Sequence, residues 1–270
     1  MKKLTALALL AISGGAFAFD QYLPVAQNKL EADAEFSYIA VGGGYDNGGT
    51  KQSATGSPSL MVPAIQLKYG IIAGLDAEVY VDYQLQNKDF SSTGSSVSGL
   101  DRPQLAVKYA HPELGLGGFV NVALPLGSKD IVGDKPATQI MGGVIYGKTF
   151  DQIVVNALAD YQYNTEDANK IKQDAIEAYA QGQFNVTPMI GPYLGVDFIK
   201  TLNTTMDGTS ADPSDAGYGL TLKPGANITI NDKMAAELTV PVAVMGKNTT
   251  SLANASYWGI YVGFYYTFSL

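Results

Sequence analysis

Period-two alternation runs through almost the whole chain. The segment "LEADAEFSYIA" from Leu30 splits into Leu30, Ala32, Ala34, Phe36, Tyr38 and Ala40 on one row and Glu31, Asp33, Glu35 and Ser37 on the other. Successive strand side chains point to opposite faces, so the segment predicts a strand with one charge-free face and one acidic face. Met61, Pro63, Ile65, Leu67 and Tyr69 then stand against Gln66 and Lys68, and Leu75, Ala77, Val79, Val81, Tyr83 and Leu85 against Asp76, Glu78, Asp82 and Gln84. Rows free of Asp, Glu, Lys and Arg recur at every second residue over 103–109, 116–126, 153–163, 176–186, 190–198, 218–230, 234–244 and 258–270. The segment 138–150 differs in kind. Neither of its rows is cleanly apolar, and the even row contains Lys148, placed near a strand end where its amine could snorkel.

The connections sort by length. Long polar stretches such as "GGGYDNGGTKQSATGSPS" from Gly42 and "NTTMDGTSADPSDAG" from Asn203 alternate without exception with short ones, such as those around 72–74 and 231–232. Six long and five short connections predict twelve strands, with both ends of the barrel on the short-turn side. A soluble sandwich also alternates, but its connections need not sort by length. Bacterial outer-membrane barrels do sort them, into short periplasmic turns and long extracellular loops. Hydrocarbon offers no partner for a backbone N–H or C=O, so a sheet spans a membrane only when it closes on itself. The outward aromatics fall into two belts: Tyr38, Tyr83, Tyr161, Tyr163, Phe198, Tyr218 and Trp258 toward the long loops, and Tyr69, Tyr109, Phe150, Phe184, Tyr266 and Phe268 toward the short turns. Amphipathic rings settle at headgroup level in this way. The expected fold is therefore all-β, a twelve-stranded transmembrane antiparallel β-barrel; the competing class is a secreted soluble all-β protein.

Export is written at the start. "MKKLTALALLAISGGAFAFD" has two lysines, an apolar run and Ala16-Phe17-Ala18, the pattern of a signal peptide cut after Ala18. The expected organisation is a signal peptide at 1–18, a periplasmic lead at 19–29 that could enter the lumen as a partial plug, and the barrel at 30–270. Losing Lys2 and Lys3 with the leader takes the net charge from −8 to −10. Such an acidic chain is a poor partner for nucleic acid, which needs a clustered excess of Lys and Arg. With no Cys and a single His, thiolate chemistry and His- or Cys-ligated metal sites drop out, and His111 lies in the short turn "AHPELG" rather than beside strand carboxylates. No enzyme, metal or cofactor is expected. Asp207, Asp212 and Asp215 in one long loop could offer oxygen ligands to calcium but lack the spacing of an EF-hand.

The last stretch, "YWGIYVGFYYTFSL", places Phe264, Tyr266, Phe268 and Leu270 on the lipid row of the final strand. It resembles the C-terminal signal of outer-membrane proteins, which in that group is recognised by the barrel assembly machinery; Leu270 stands where the group usually has Phe. A narrower likeness lies in "GLDRPQLAVKYAHPELGLGGFVNVALPLGSKD" over 99–130: a Gly-x-x-x-Pro start, an alternating strand ending in Lys108 and Tyr109, then a strand ending in "LPLG". This stretch resembles the outer-membrane transporter family of meta-pathway phenol degradation proteins. The resemblance implies a channel in the bacterial outer membrane, in some members associated with uptake of aromatic or other hydrophobic compounds. It carries over no binding residue.

The inward rows hold the candidate pore-lining residues: Glu35, Lys68, Glu78, Tyr80, Asp82, Lys108, Asp160, Glu177, Tyr179, Asp197, Lys223, Glu237 and Tyr261. Charges in a dry interior are costly, so the lumen must be wet or its charges paired. Two readings stay open: a structural ion-pair network, or a water-filled passage whose acidic excess disfavours anions. The last inward row alternates Tyr257, Gly259, Tyr261, Gly263 and Tyr265, either a packing device in which Gly makes room for a flat Tyr or a Tyr-lined path for solutes. Outer-membrane lipid and a small-molecule solute are the expected partners. A closed structural barrel acting through its loops is the alternative.

Overall fold

The computed structural model describes residues 23–91, 94–134, 136–165, 171–206, 209–210, 216–248 and 255–269. The segment 1–18 expected to be a signal peptide, the calcium-candidate aspartates Asp207, Asp212 and Asp215, and Leu270 lie outside the described residues. Twelve spanning strands form one antiparallel sheet that closes on itself. They are β1 (Lys29–Tyr45), β2 (Ser59–Ile72), β3 (Leu75–Gln86), β4 (Gln104–Ala110), β5 (Leu116–Ala123), β6 (Gln139–Phe150), β7 (Ile153–Asn164), β8 (Ile171–Phe184), β9 (Ile190–Met206), β10 (Tyr218–Asn231), β11 (Met234–Thr239 and Val242–Lys247) and β12 (Ser256–Ser269). Each pairs with the next, and β12 pairs with β1 from Lys29↔Ser269 to Val41↔Tyr257. That seam removes the open edge a sheet cannot leave in oil.

Exposure is inverted relative to a soluble protein. On β2, Met61, Ile65, Leu67 and Tyr69 are exposed, Ile65 to 61%, while Gln66 and Lys68 between them are buried. The same inversion runs round β3, β4, β8 and β9, where Val79, Leu105, Val107, Ile176 and Leu194 face out and Glu78, Gln104, Lys108, Glu177 and Asp197 face in. This continuous outer band of Val, Leu, Ile and aromatic side chains is a lipid-facing surface. Leaving it in water would cost on the order of 25 cal/mol per Å² of apolar area.

Several details depart from the sequence pattern. β1 and β9 run past their apolar rows to Tyr45 and Met206, and β8 starts at Ile171, so strands continue into segments expected to be loop. Short strands Lys51–Ser53 and Val97–Leu100 add to the long-loop ends of β1 and β3, and a helical turn, Lys129–Val132, packs against the latter. β11 is not one continuous strand. It breaks at Val240–Pro241, where proline has no N–H to give the ladder. On β6 the even row, with Ile140 and Val144, faces out, and Lys148 at its end sends Nζ to the Glu113 carbonyl at 3.3 Å. The short turns are tight: Asp151 between β6 and β7 takes φ 57°, and Gly74 between β2 and β3 takes φ 79°, where a Cβ would lie 2.2 Å from the Ala110 carbonyl oxygen.

Candidate functional site: the barrel lumen

The inner face of β1–β4 is charged and paired. Lys68 on β2 holds Glu31 and Asp33 of β1, each at 2.7 Å, and Lys108 on β4 holds Glu78 of β3 at 2.6 Å. Gln66 Nε2 donates to the other Glu78 oxygen at 3.0 Å, so the two networks meet across β2 and β3. Lys68 and Lys108 are inaccessible to solvent, to within 1%. The register sets Lys68 directly opposite Glu31 and Glu78, while Lys108, opposite Asp76, reaches Glu78 on the diagonal two residues along β3. Closer to the long loops, Tyr80 and Asp82 face the same interior, with Gln84 donating to Asp101 at 2.8 Å.

A second polar group lies on β7–β10. Asp160 stands opposite Glu177, Tyr179 opposite Asp197, and Lys223 Nζ reaches Asp197 at 2.8 Å. Gln162 donates to Glu177 at 2.8 Å, and Lys223 also lies 5.1 Å from the centre of the Tyr179 ring. On β11, Glu237 accepts hydrogen bonds from the hydroxyls of Tyr193 and Tyr265, the latter at 2.7 Å, and Tyr261 and Tyr265 bond to each other at 2.9 Å. Glycines make room for these rings. A Cβ at Gly263 would lie 2.5 Å from the Tyr265 hydroxyl, one at Gly195 equally near that of Tyr179, and one at Gly225 would strike the Tyr193 ring. Glu35 and Tyr261 are half-buried on the same inner face. The two polar groups join across β12 and β1, where Lys68 Nζ lies 5.7 Å from the centre of the Tyr265 ring and Thr267 donates to Glu31 at 3.3 Å.

On β5–β7 the inner wall also carries an apolar cluster, which the inward charges did not suggest. Phe119 (β5), Met141 and Ile145 (β6), Leu158 (β7) and the Tyr179 ring (β8) form a buried cluster with Ala110. The signal was the mixed pattern of 138–150: both rows of β6 carry apolar residues because one faces lipid and the other supplies Met141 and Ile145 to this cluster. A further cluster lies at the long-loop end, where Phe90 packs on Ile39, Leu60, Val62 and Tyr257 inside the barrel.

The lead crosses the short-turn end of the lumen. Asn28 N donates to the Gly70 carbonyl at 2.8 Å, Val25 N donates to Asp76 at 2.8 Å, and Leu23 reaches Gly147 on β6, where a Cβ would lie 2.8 Å from Leu23 Cγ. Residues 23–26 thus pass from β2 to the far side of the barrel. They bound a cavity of about 580 Å³ that is also lined by Lys68, Asn227, Lys233 and Tyr265. The single histidine, His111, lies in the exposed β4–β5 turn and accepts a hydrogen bond from Glu113 N at 3.3 Å.

The outer face carries Phe264, Tyr266 and Phe268 of β12, 56%, 37% and 42% exposed, with the last two rings edge to face at 4.5 Å. Closure, apolar outside and polar inside occur together. The chain has the fold of an outer-membrane β-barrel. The barrel is similar to the COG4313 outer membrane channel from Pseudomonas putida F1, with a TM-score of 0.75 at 16% identity over 94% of this chain and 100% of that one. More distant likenesses are the NanC porin (TM-score 0.52, 8% identity, 87% of this chain and 98% of that one) and the transport unit of the autotransporter AIDA-I from Escherichia coli (0.54, 10%, 99% of each). No family model matches the barrel's sequence, and no curated protein does either. The likeness read from 99–130 and the solved structures agree on an outer-membrane barrel.

Proposed function

We propose that the barrel is an outer-membrane channel for small solutes that carry an apolar or aromatic surface. One observation carries the reading: the lumen has an apolar arc of Phe119, Met141, Ile145 and Leu158 beside an ion-paired arc, so a solute can slide along the first while its polar groups meet the second. The COG4313 structure is described as a channel and NanC as a porin, which supports passage rather than surface chemistry. The acidic excess of Asp160, Glu177, Asp197 and Glu237 would disfavour anions. The lead acts as a partial plug at the periplasmic mouth, supported by the path of residues 23–26 from Gly70 to Gly147. Phe264, Tyr266, Phe268 and Leu270 serve as the signal read by the barrel assembly machinery.

The test is conductance in planar bilayers together with liposome swelling, on the folded mature protein and on a variant lacking residues 19–26. The expected result is small, cation-preferring conductance that rises severalfold without the lead, and faster entry of an aromatic solute than of a sugar of similar size. If neither protein passes ions or solutes, the channel reading fails and a closed barrel acting through its loops takes its place.

A further inference from the structure

Three lysines stand on the outer, lipid-facing side of the barrel at its long-loop end, on neighbouring strands. Lys200 on β9 follows Val196 and Phe198 along the outward row and is exposed. Its cross-strand partner on β10 is Tyr218, and the partner of Tyr218 on β11 is Lys247. Side chains of paired antiparallel residues share a face, so Lys200, Tyr218 and Lys247 point outward side by side. At a strand spacing of roughly 4.8 Å, the two lysine backbones are about 10 Å apart with the Tyr218 ring between them. Tyr218 and Phe198 lie with ring centres 6.2 Å apart. On the other flank Lys200 is opposite Ile176 of β8. Beyond Ile176 on that strand, Lys172 lies over the outward Tyr163 ring, 4.3 Å from its centre. Among the described residues, Asp174 is the acid in this patch; it lies 3.3 Å from Lys172 and accepts hydrogen bonds from the Tyr161 hydroxyl and from Asn164 N.

The position matters as much as the charge. Just below lie Ile176, Val196, Phe198 and Met245, exposed by between 36% and 51%, so the lysines sit where the apolar band ends on the outer-leaflet side. At the same border on other strands the outward residues are Trp258, Tyr38, Tyr83 and Ile140. The basic residues are thus gathered over β8–β11, on a protein whose net charge is strongly negative. Overall charge would repel an anionic headgroup, while a local cluster within about one Debye length of it, roughly 8 Å, attracts it.

The geometry points to a docking surface on β8–β11 for a phosphorylated, multiply acylated glycolipid of the outer leaflet. Lys200 and Lys247 receive a phosphate, Lys172 supports it from the neighbouring strand, the Tyr218 ring lies against the sugar, and the acyl chains run down the apolar face of β9–β11. The inference rests on the outer-membrane fold and is independent of whether the lumen conducts.

The test uses the full mature protein, folded in dodecyl maltoside and titrated by native mass spectrometry with bisphosphorylated lipid A, with its monophosphorylated form and with a phosphate-free analogue. Affinity is expected to fall in that order. Each of Lys172→Gln, Lys200→Gln and Lys247→Gln should weaken binding of the bisphosphorylated form by about fivefold, and the triple variant should lose the discrimination. Changing Lys51, Lys88 and Lys129, exposed beyond the ends of the spanning strands, to Gln should leave binding unchanged. Folding of each protein is checked by heat-modifiable electrophoretic mobility, with Lys200→Gln alone sufficient should the triple variant not fold. Equal binding by a folded Lys200→Gln, an equal loss in the loop-lysine variant, or displacement of the lipid by millimolar inorganic phosphate would overturn the inference.

Discussion

The inner face of β1–β4 and the cluster of Phe119, Met141, Ile145 and Leu158 on β5–β7 belong to the same barrel at similar depth, yet they are built from opposite chemistry. On the first, Asp33, Lys68, Glu78 and Lys108 are buried, Glu31 is half-buried, and ion pairs of 2.6–2.7 Å join them. On the second, Phe119, Met141, Ile145 and Leu158 pack on each other with no charge among them. The border is one step wide, because Lys108 and Phe119 are direct cross-strand partners. The difference teaches that a lipid-facing exterior constrains only alternate residues. The other row is free to form a polar network or a small core, and this barrel does both side by side.

The sharpest way to break the comparison is to unpair the charged wall. Lys108→Met leaves Glu78 buried without the amine now 2.6 Å away, and such an uncompensated charge costs about 3–5 kcal/mol. Urea unfolding of the protein in phosphatidylcholine vesicles should show that loss, and adding Glu78→Gln should recover most of it. A single variant as stable as the parent would mean that the pair does not hold the wall together.

The opposite exchange brings a charge to the apolar wall. Met141→Glu places a carboxylate among Phe119, Ile145 and Leu158, and the expected cost is about 1–3 kcal/mol because the side chain can turn toward the lumen. Its more telling effect is on flux: entry of an aromatic solute into liposomes should fall severalfold while that of a small sugar changes little. If both fall together, the variant has narrowed the lumen, and the apolar arc plays no part in choosing solutes.

The strand number and the face each strand gives to lipid were legible in the sequence, since hydrocarbon imposes one chemistry on every second position. Pairing was less legible. That Lys68 serves both Glu31 and Asp33 follows from the register of β1 against β2, and alternation within one strand carries no information about its neighbour's offset. The apolar arc was half visible in the unclear pattern of β6, which reads as a weak strand until its second apolar row is given something to pack on. The break in β11 hid because Pro241 falls in the inward row, where it disturbs no apolar period. Nor could the path of the lead be read, for it is fixed by single contacts, Val25 to Asp76 and Leu23 to Gly147, that have no periodic trace.

The smallest effect is expected outside both arcs, where a carboxylate does similar bonding in water. Asp46, fully exposed beyond the end of β1, accepts hydrogen bonds from Thr50 N and Gly48 N, both at 2.9 Å, and from the Gln52 amide at 3.1 Å. These donors, the Thr50 amide foremost, hold its pKa below the usual value of 3.8. A depressed carboxylate adds stability that is present above its unfolded pKa and is lost as pH falls through the folded one. The turn should therefore be closed at neutral pH and open only below about pH 4. Amide exchange of Thr50 reads this directly: protection in the parent should decline across that acid range, while Asp46→Ala should lack protection at every pH. Because the group is exposed, global unfolding of the variant should match the parent, in contrast to Lys108→Met. A matching loss of global stability would show that the loops, and not the buried pairs of β1–β4, carry the electrostatic part of this fold.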